Sequence, residues 1–458
     1  MTSLCLLSVL LLVGAPGLAA GAKNYGQALG LSIKFYMAQR SGPIHDSIVP
    51  WRGNSGMNDC TVGGWYDAGD NVKFTFPMAT SAHLLMWSYY KYKDGYVKAN
   101  QATQFLNMIK TPLNFFLAAW NGHDKLTGQV GDANADHAQW QPPEKMTTSR
   151  TCQYITKGTK GSDVAGATAA SLALGYLIFK SSNAPYANSC LNKAKSLYSF
   201  GKSNRGIFYG TSPFYSSGSD EDDLCLGALW LYKATGDSHY LNDAKSFHNG
   251  MGPSWAQSWD DNKLACRILL LEATHDNKLK TEIQNDLKPW VEKHMTYTPC
   301  GLAWKLEWAP TRYAANTAFM ALLAADASIN SVNNRKFAVQ QINYILGDNK
   351  HNGGCFSYQI GYGQKYPQRP HHRGSSCPKG STCGWDFYHS SKANVNKLLG
   401  ALVGGPDAHD GYQDNRDNVG QNEVATDYNA GFQGALAAIV HLQDKHLLPP
   451  TSTSCKCN

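Results

Sequence analysis

The chain has little charge and no concentration of it. Asp, Glu, Lys and Arg supply 16% of its 458 residues, and the formal charge of +7 is scattered without a run of five basic residues. That pattern excludes the basic footprint of a nucleic-acid or anionic-membrane binder. Beyond the first two dozen residues no uninterrupted apolar run reaches the length needed to cross a bilayer, so no membrane partner is expected. There is no Asn-x-Ser/Thr acceptor, no HExxH and no pair of CxxC motifs with zinc-finger spacing, which removes N-glycosylation and the common zinc sites. No Pro- or Ser-rich linker divides the chain, and strand alternation is confined to short pieces such as FSYQIGYG.

What is present is a globular composition, 43% hydrophobic, with 12 Trp and 24 Tyr. Many of these rings stand beside Gly, Asp or Asn in loop-like segments, a setting suited to the C–H faces and hydroxyls of sugars. The start, MTSLCLLSVLLLVGAPGLAAGAKNY, reads as a secretory leader over residues 1–22, leaving 23–458 as one catalytic domain. Secretion suits the twelve cysteines, since oxidised pairs persist outside the cell. Loss of Cys5 with the leader leaves eleven, an odd number that implies one free thiol or a pairing the sequence does not resolve. Cys377 and Cys383 are spaced to close a small loop, and Cys455 and Cys457 to pin the tail.

Helical periodicity recurs along the chain, as in Phe105, Leu106, Ile109, Leu113, Phe116, Leu117 and Trp120, and again in Phe432, Leu436, Ile439 and Val440. Further segments fall at 77–93, 163–180, 187–201, 222–235, 238–248, 264–274, 278–295, 313–327, 333–347 and 391–402. About a dozen helices with scarce strands predict an all-α domain, and alternating short and long connections suit a closed ring of helical hairpins. Three long loops, 51–76, 349–390 and 404–425, are the expected seats of function.

The first loop contains YDAGD, in which Asp67 and Asp70 are placed to converge on one water, with Gly69 expected to lend the backbone its freedom. Turn formation or helix capping would use the same residues. The second carries Pro370, His371, His372 and Arg373, donors for sugar hydroxyls rather than neighbouring metal ligands. The third sets Glu423 just before a helix beginning near Asp427, where shielding from water raises a carboxyl toward a general acid's range; a plain N-terminal helix acid is the alternative. One protonated acid and one ionised carboxylate is the division of labour that cleaves a glycosidic bond.

These segments, WYDAGDNVKF, LWLYKATGD, WDDNK, RYAANTAF, PHHR and NEVATDYNAGF, occur in the order found in glycoside hydrolase family 9, which the mature chain resembles over essentially its whole length. The resemblance implies an (α/α)6 barrel with a cleft at one end. It implies a monomeric secreted endo-β-1,4-glucanase acting on cellulose with inversion, without a cofactor for the chemistry. A preference for mixed-linkage glucan or glucomannan, or an inactive carbohydrate-binding protein, are the rival readings. Carried over by motif, Asp70 is the general base, Asp67 helps hold the water and Glu423 is the general acid. His371 and Arg373 grip the sugar, Asp414 supports the site and Tyr428 lies near the acid. Trp259, Trp308, Arg312, Tyr313 and, less directly, Trp255 are cleft-lining candidates. The resemblance also places a structural Ca2+ among Gly218, Ser219, Asp222, Asp223, Asp260 and Asp261, with Asp223 standing where Glu is usual. An inverting pair is expected about 6.5 to 9.5 Å apart. Gln359, Ile360 and Val419 depart from the family's pattern and are expected to alter loop packing or sugar fit.

Overall fold

The computed structural model describes residues 23–211, 213–453 and 455–457, so the leader expected over 1–22 lies outside the described residues. Among the described residues, helices of eleven residues or more alternate in two layers. They are α1 (Tyr25–Ala38), α2 (Thr75–Lys91), α3 (Ala102–Ala119), α4 (Ser162–Phe179), α5 (Ala184–Ser203), α6 (Glu221–Thr235), α7 (Ser238–His248), α8 (Lys263–Thr274), α9 (Asn277–Val291), α10 (Pro310–Asp326), α11 (Ser331–Ile345) and α12 (Thr426–Asp444). The even-numbered helices touch in the cycle α2, α4, α6, α8, α10, α12 and back to α2. The ring therefore closes, as an (α/α)6 barrel requires.

Composition sorts the two layers. The inner helices are largely buried, and α4, α10 and α12 are rich in Ala or Gly, so their backbones can approach closely; at Gly166 of α4, an added Cβ would lie 2.7 Å from the Asp223 carbonyl carbon of α6. Of the outer helices, α9 buries one face and wets the other, with Leu279, Ile283, Leu287 and Trp290 inward, whereas α1 is buried around most of its circumference. Among the described residues, α4 alone is long and apolar enough to cross a membrane, but 89% of it is buried inside the barrel wall. It is a core helix.

Each inner helix begins at the same end of the barrel, where the N-termini of α6, α8, α10 and α12 are cross-linked. Asp222 Oδ2 accepts the Asn262 N–H at 2.7 Å, Asn316 Nδ2 donates to the Gln257 carbonyl at 3.1 Å, and Arg312 pairs with Asp427 at 2.9 Å. The long loops gather over this end. Three short antiparallel strands, β1 (Lys73–Phe74), β2 (Leu126–Val130) and β3 (Cys152–Ile155), form a sheet in the order β1-β2-β3 and tie the first loop to the segment between α3 and α4.

Three expectations change. The segment 391–402 is irregular rather than helical, because Asn394 and Asn396 donate side-chain and backbone N–H groups to Gln368, Pro370, Ser375 and Cys377 in the neighbouring loop. FSYQIGYG makes only isolated bridges, with Phe356 opposite Lys365 and Gln359 opposite Leu402. Finally, α1 was not foreseen, since burial around most of its circumference leaves no amphipathic stripe to read. Gln359 and Ile360 are buried, and Gln359 Nε2 donates to the Ala28 carbonyl of α1 at 2.8 Å, so these departures serve packing. Val419 starts a short helix, Val419–Asn422, under the acid.

Candidate active site

The YDAGD loop rests on a buried ion cluster. Asp59 takes Lys73 at 2.7 Å and Arg150 at 2.8 Å, while Lys73 also donates to the Thr61 and Gly63 carbonyls and Arg150 to that of Asn71 at 2.6 Å. This fixes the loop from beneath. Gly69 matters through close approach rather than backbone freedom, a correction to its expected role: it does not adopt the left-handed region, but a Cβ there would fall on the His371 carbonyl oxygen.

Asp67 and Asp70 are both buried, and each keeps one oxygen, Oδ1, without a hydrogen bond from the described residues. Asp67 Oδ2 accepts the Tyr215 hydroxyl at 2.6 Å, and Asp70 Oδ2 accepts His137 Nε2–H at 3.0 Å. Their charges separate. Burial, then the neighbouring Asp70 and Asp427 charges, push Asp67 well above the carboxylate range. Burial opposes ionisation of Asp70 too, but the His137 hydrogen bond and charge, with Arg373, overcome it and hold Asp70 below its ordinary value. The pair thus carries one negative charge, on Asp70.

Glu423 stands at the end of the short 419–422 helix. Its Oε2 accepts the Tyr428 hydroxyl and Trp308 Nε1–H, each at 3.0 Å. Burial is the largest influence on its carboxyl and, with the Asp70 charge, outweighs these donors to lift it to about 7. An acid so placed holds its proton at mildly acidic pH.

Between acid and base runs the PHHR segment. Arg373 N–H donates to the Gly69 carbonyl at 2.9 Å on one side, and His371 pairs in parallel with Glu423 on the other, donating its N–H to Asn422 at 2.9 Å. The loops are also joined directly, Thr426 N–H to the Asp67 carbonyl at 2.8 Å. The histidines face different partners. His371 Nδ1–H donates to the Arg416 carbonyl at 3.1 Å, whereas His372 accepts the Ser375 N–H at Nδ1 and donates from Nε2 to Gln39 at 2.9 Å. Burial first, then nearby guanidinium groups, lower both imidazoles to about 3, so both are neutral. Asp414 holds the segment's start by accepting the Gln368 and Arg369 N–H groups at 2.8 and 2.9 Å.

A carboxylate held ionised and a carboxyl held protonated, framed by aromatic rings, has the form of a glycosidase centre. The model of Glycosyl hydrolase family 9 matches residues 25–436. The chain belongs to glycosyl hydrolase family 9. It is 41% identical over 447 residues to Endoglucanase A of Bacillus pumilus, covering 92% of this chain but 66% of that relative, and so spans about two thirds of its length. Against Endoglucanase 15 of Arabidopsis thaliana it is 37% identical, with 95% and 97% of the two chains covered. A termite endoglucanase from Nasutitermes takasagoensis superposes with a TM-score of 0.88 at 39% identity, covering 92% of this chain and all of that one. A C. cellulolyticium cellulase in complex with cellobiose superposes at 0.86 and 35%, covering 93% and 100%.

The remaining expected residues of this family 9 site divide by exposure. Trp308 is 49% exposed and overhangs the acid. Trp259 is part-buried, edge-on to Tyr215 at 5.1 Å, and Trp255 packs on Tyr313 at 5.5 Å. Arg312 and Tyr313 are buried behind this wall. Arg312 bonds Asp427 and the Tyr313 hydroxyl and stacks 4.8 Å over Trp259 and 4.9 Å over Tyr428. Arg373 is likewise buried, donating to the Gln139 and Gly69 carbonyls and stacking 4.8 Å over Trp140. Tyr428 joins the acid directly, as expected.

His137, Trp140 and Tyr215 were missed. His137 and Trp140 come from a fourth long segment, between α3 and α4, with no local motif to mark it; Tyr215 sits in FYSS, directly ahead of the acidic stretch that was noticed.

The residues to which the resemblance assigns calcium, Gly218, Ser219, Asp222, Asp223, Asp260 and Asp261, lie around the junction of α6 and α8. Asp222 and Asp223 accept from the backbone and side chain of Asn262, Asp260 accepts the Gly218 N–H at 2.6 Å, Ser219 Oγ accepts the Glu221 N–H, and Asp261 accepts those of Trp255 and Lys263. No three of these carboxylates draw together among the described residues. Burial lifts the carboxyl of Asp222 to about 7 and that of Asp223 further, and Asp222 Oδ1 takes no hydrogen bond from the described residues. The hydrogen bonds from Asn262 tie the start of α6 to that of α8.

Proposed function

We propose that this family 9 glycosidase is a secreted, monomeric endo-β-1,4-glucanase that inverts the anomeric carbon. The observation that carries the reading is the opposed protonation of its two acids, Asp70 ionised beside His137 and Glu423 held near 7 by burial. Glu423 gives its proton to the glycosidic oxygen as the bond breaks. Asp70 Oδ1 takes a proton from the attacking water, and Asp67, fixed by Tyr215, helps orient that water. Nothing in these steps calls for a metal. The open, aromatic-lined end and the name endoglucanase across the relatives support attack within a β-1,4-glucan chain. Secretion is supported by five disulfides among the described residues. NMR of the anomer first released from defined cello-oligosaccharides tests the reading: α-product and internal cleavage are expected, and β-product overturns inversion.

A further inference from the structure

Beside the base lies a set of donors that hydrolysis does not fully use. One ligand atom each from Asp70, Asp136 and His137 lie within 4.8 Å of one another. Asp70 is 8% and Asp136 2% exposed, while His137 is part-buried at the cleft. Two further features suit this set to an ion. Asp70 Oδ1 is buried and takes no hydrogen bond from the described residues. Asp136 Oδ2 accepts the Asn71 N–H at 3.0 Å, the kind of outer bond that orients a ligating carboxylate. Phe214 packs edge-on against the His137 ring at 4.9 Å and limits its swing.

One imidazole nitrogen and two carboxylates match the borderline-soft ions that take mixed N and O ligands in fourfold geometry. Calcium and magnesium want six or more oxygens and are poorly served. We propose that Asp70, Asp136 and His137 bind a divalent transition-metal ion of the zinc type, and that occupation of this site silences the enzyme. The ion takes the Nε2 lone pair of His137, and the proton now shared with Asp70 passes to solvent. Asp70, once ligated, no longer accepts a proton from water. The silencing rests on Asp70 being the base; the binding does not.

The test is calorimetric titration of the metal-free enzyme with zinc chloride, run beside hydrolysis of a soluble cello-oligosaccharide. One zinc per chain, loss of hydrolysis in step with binding, restoration by chelator and no effect of magnesium are expected. Asp136→Asn and His137→Gln, checked for folding by circular dichroism, should each weaken zinc about tenfold or more. Anomalous scattering at the zinc edge from a soaked crystal should place the ion between these residues. Absence of zinc binding, binding unchanged in both variants, or full activity with the site occupied each overturns the proposal. Should the enzyme cleave no β-1,4-glucan, the titration and scattering still decide the binding separately from the proposed function.

Discussion

The hydrogen bond between His137 and Asp70 sets the acid limb of activity, and the burial of Glu423 sets the alkaline one. In the proposed mechanism Glu423 must be protonated to act and Asp70 ionised. Activity is therefore expected to fall as pH rises through about 7, where Glu423 loses its proton, and on the acid side only below the ordinary aspartate value. Tyr428 and Trp308 stabilise the charged form of Glu423, so Tyr428→Phe should move the alkaline limb of kcat/KM upward; a limb left in place or moved down would refute the assignment. Asp70→Asn and Glu423→Gln should each lower kcat by about two to four orders of magnitude while the melting temperature holds. Asp67, Asp70 and Glu423 were singled out as carboxylates among Gly and aromatics in long loops, and their expected roles came from the family resemblance, since turn formation, capping or a plain helix acid would use the same residues. His137 was not, since only the path of the chain between α3 and α4 brings it to Asp70.

At the scale of elements, the site depends on backbones that touch. Gly69 lies against the His371 carbonyl, and Gly431 of α12 lies against Asn316 of α10. Gly69→Ala should separate the base loop from PHHR, cutting activity sharply and costing about 1 to 3 kcal/mol of stability, measurable by denaturant unfolding. Arg312 and Asp427 form a buried pair at the mouths of α10 and α12. Removing the cation alone, as in Arg312→Met, should cost about 3 to 5 kcal/mol, because it strands a carboxylate among buried rings. The helices were read from their period where one face is wet, as in α9. The period fades where a helix is enclosed, as in α1, and asparagines that bond outward unravel an otherwise plausible helix at 391–402.

Across the whole molecule, covalent links reinforce the barrel's seam. Cys300–Cys455 and Cys355–Cys457 staple the tail to loops 155 and 102 residues away, Cys60–Cys152 joins the base loop to β3, and among the described residues Cys190 is the free cysteine. Reduction should lower the thermal midpoint, with each tail disulfide worth about 2 to 5 kcal/mol. Chelation should leave that midpoint unchanged within about 1 °C, given that the acids of the 218–223 and 260–261 segments bond Asn262 and backbone N–H groups; a fall of several degrees would show that a hard cation binds there after all.

Local chemistry is written in the sequence: apolar period makes outer helices, Ala and Gly make helices that pack closely, and acids in glycine-rich loops announce proton transfer. Protonation is not written there. Asp67, Asp70 and Glu423 are all carboxyls of nearly equal intrinsic acidity, and only ring closure, which buries them together and brings His137 to one and rings to another, decides which keeps its proton. The same closure turned the acidic residues near Gly218 into structural acceptors, because desolvation and hydrogen bonding depend on neighbours from distant parts of the chain.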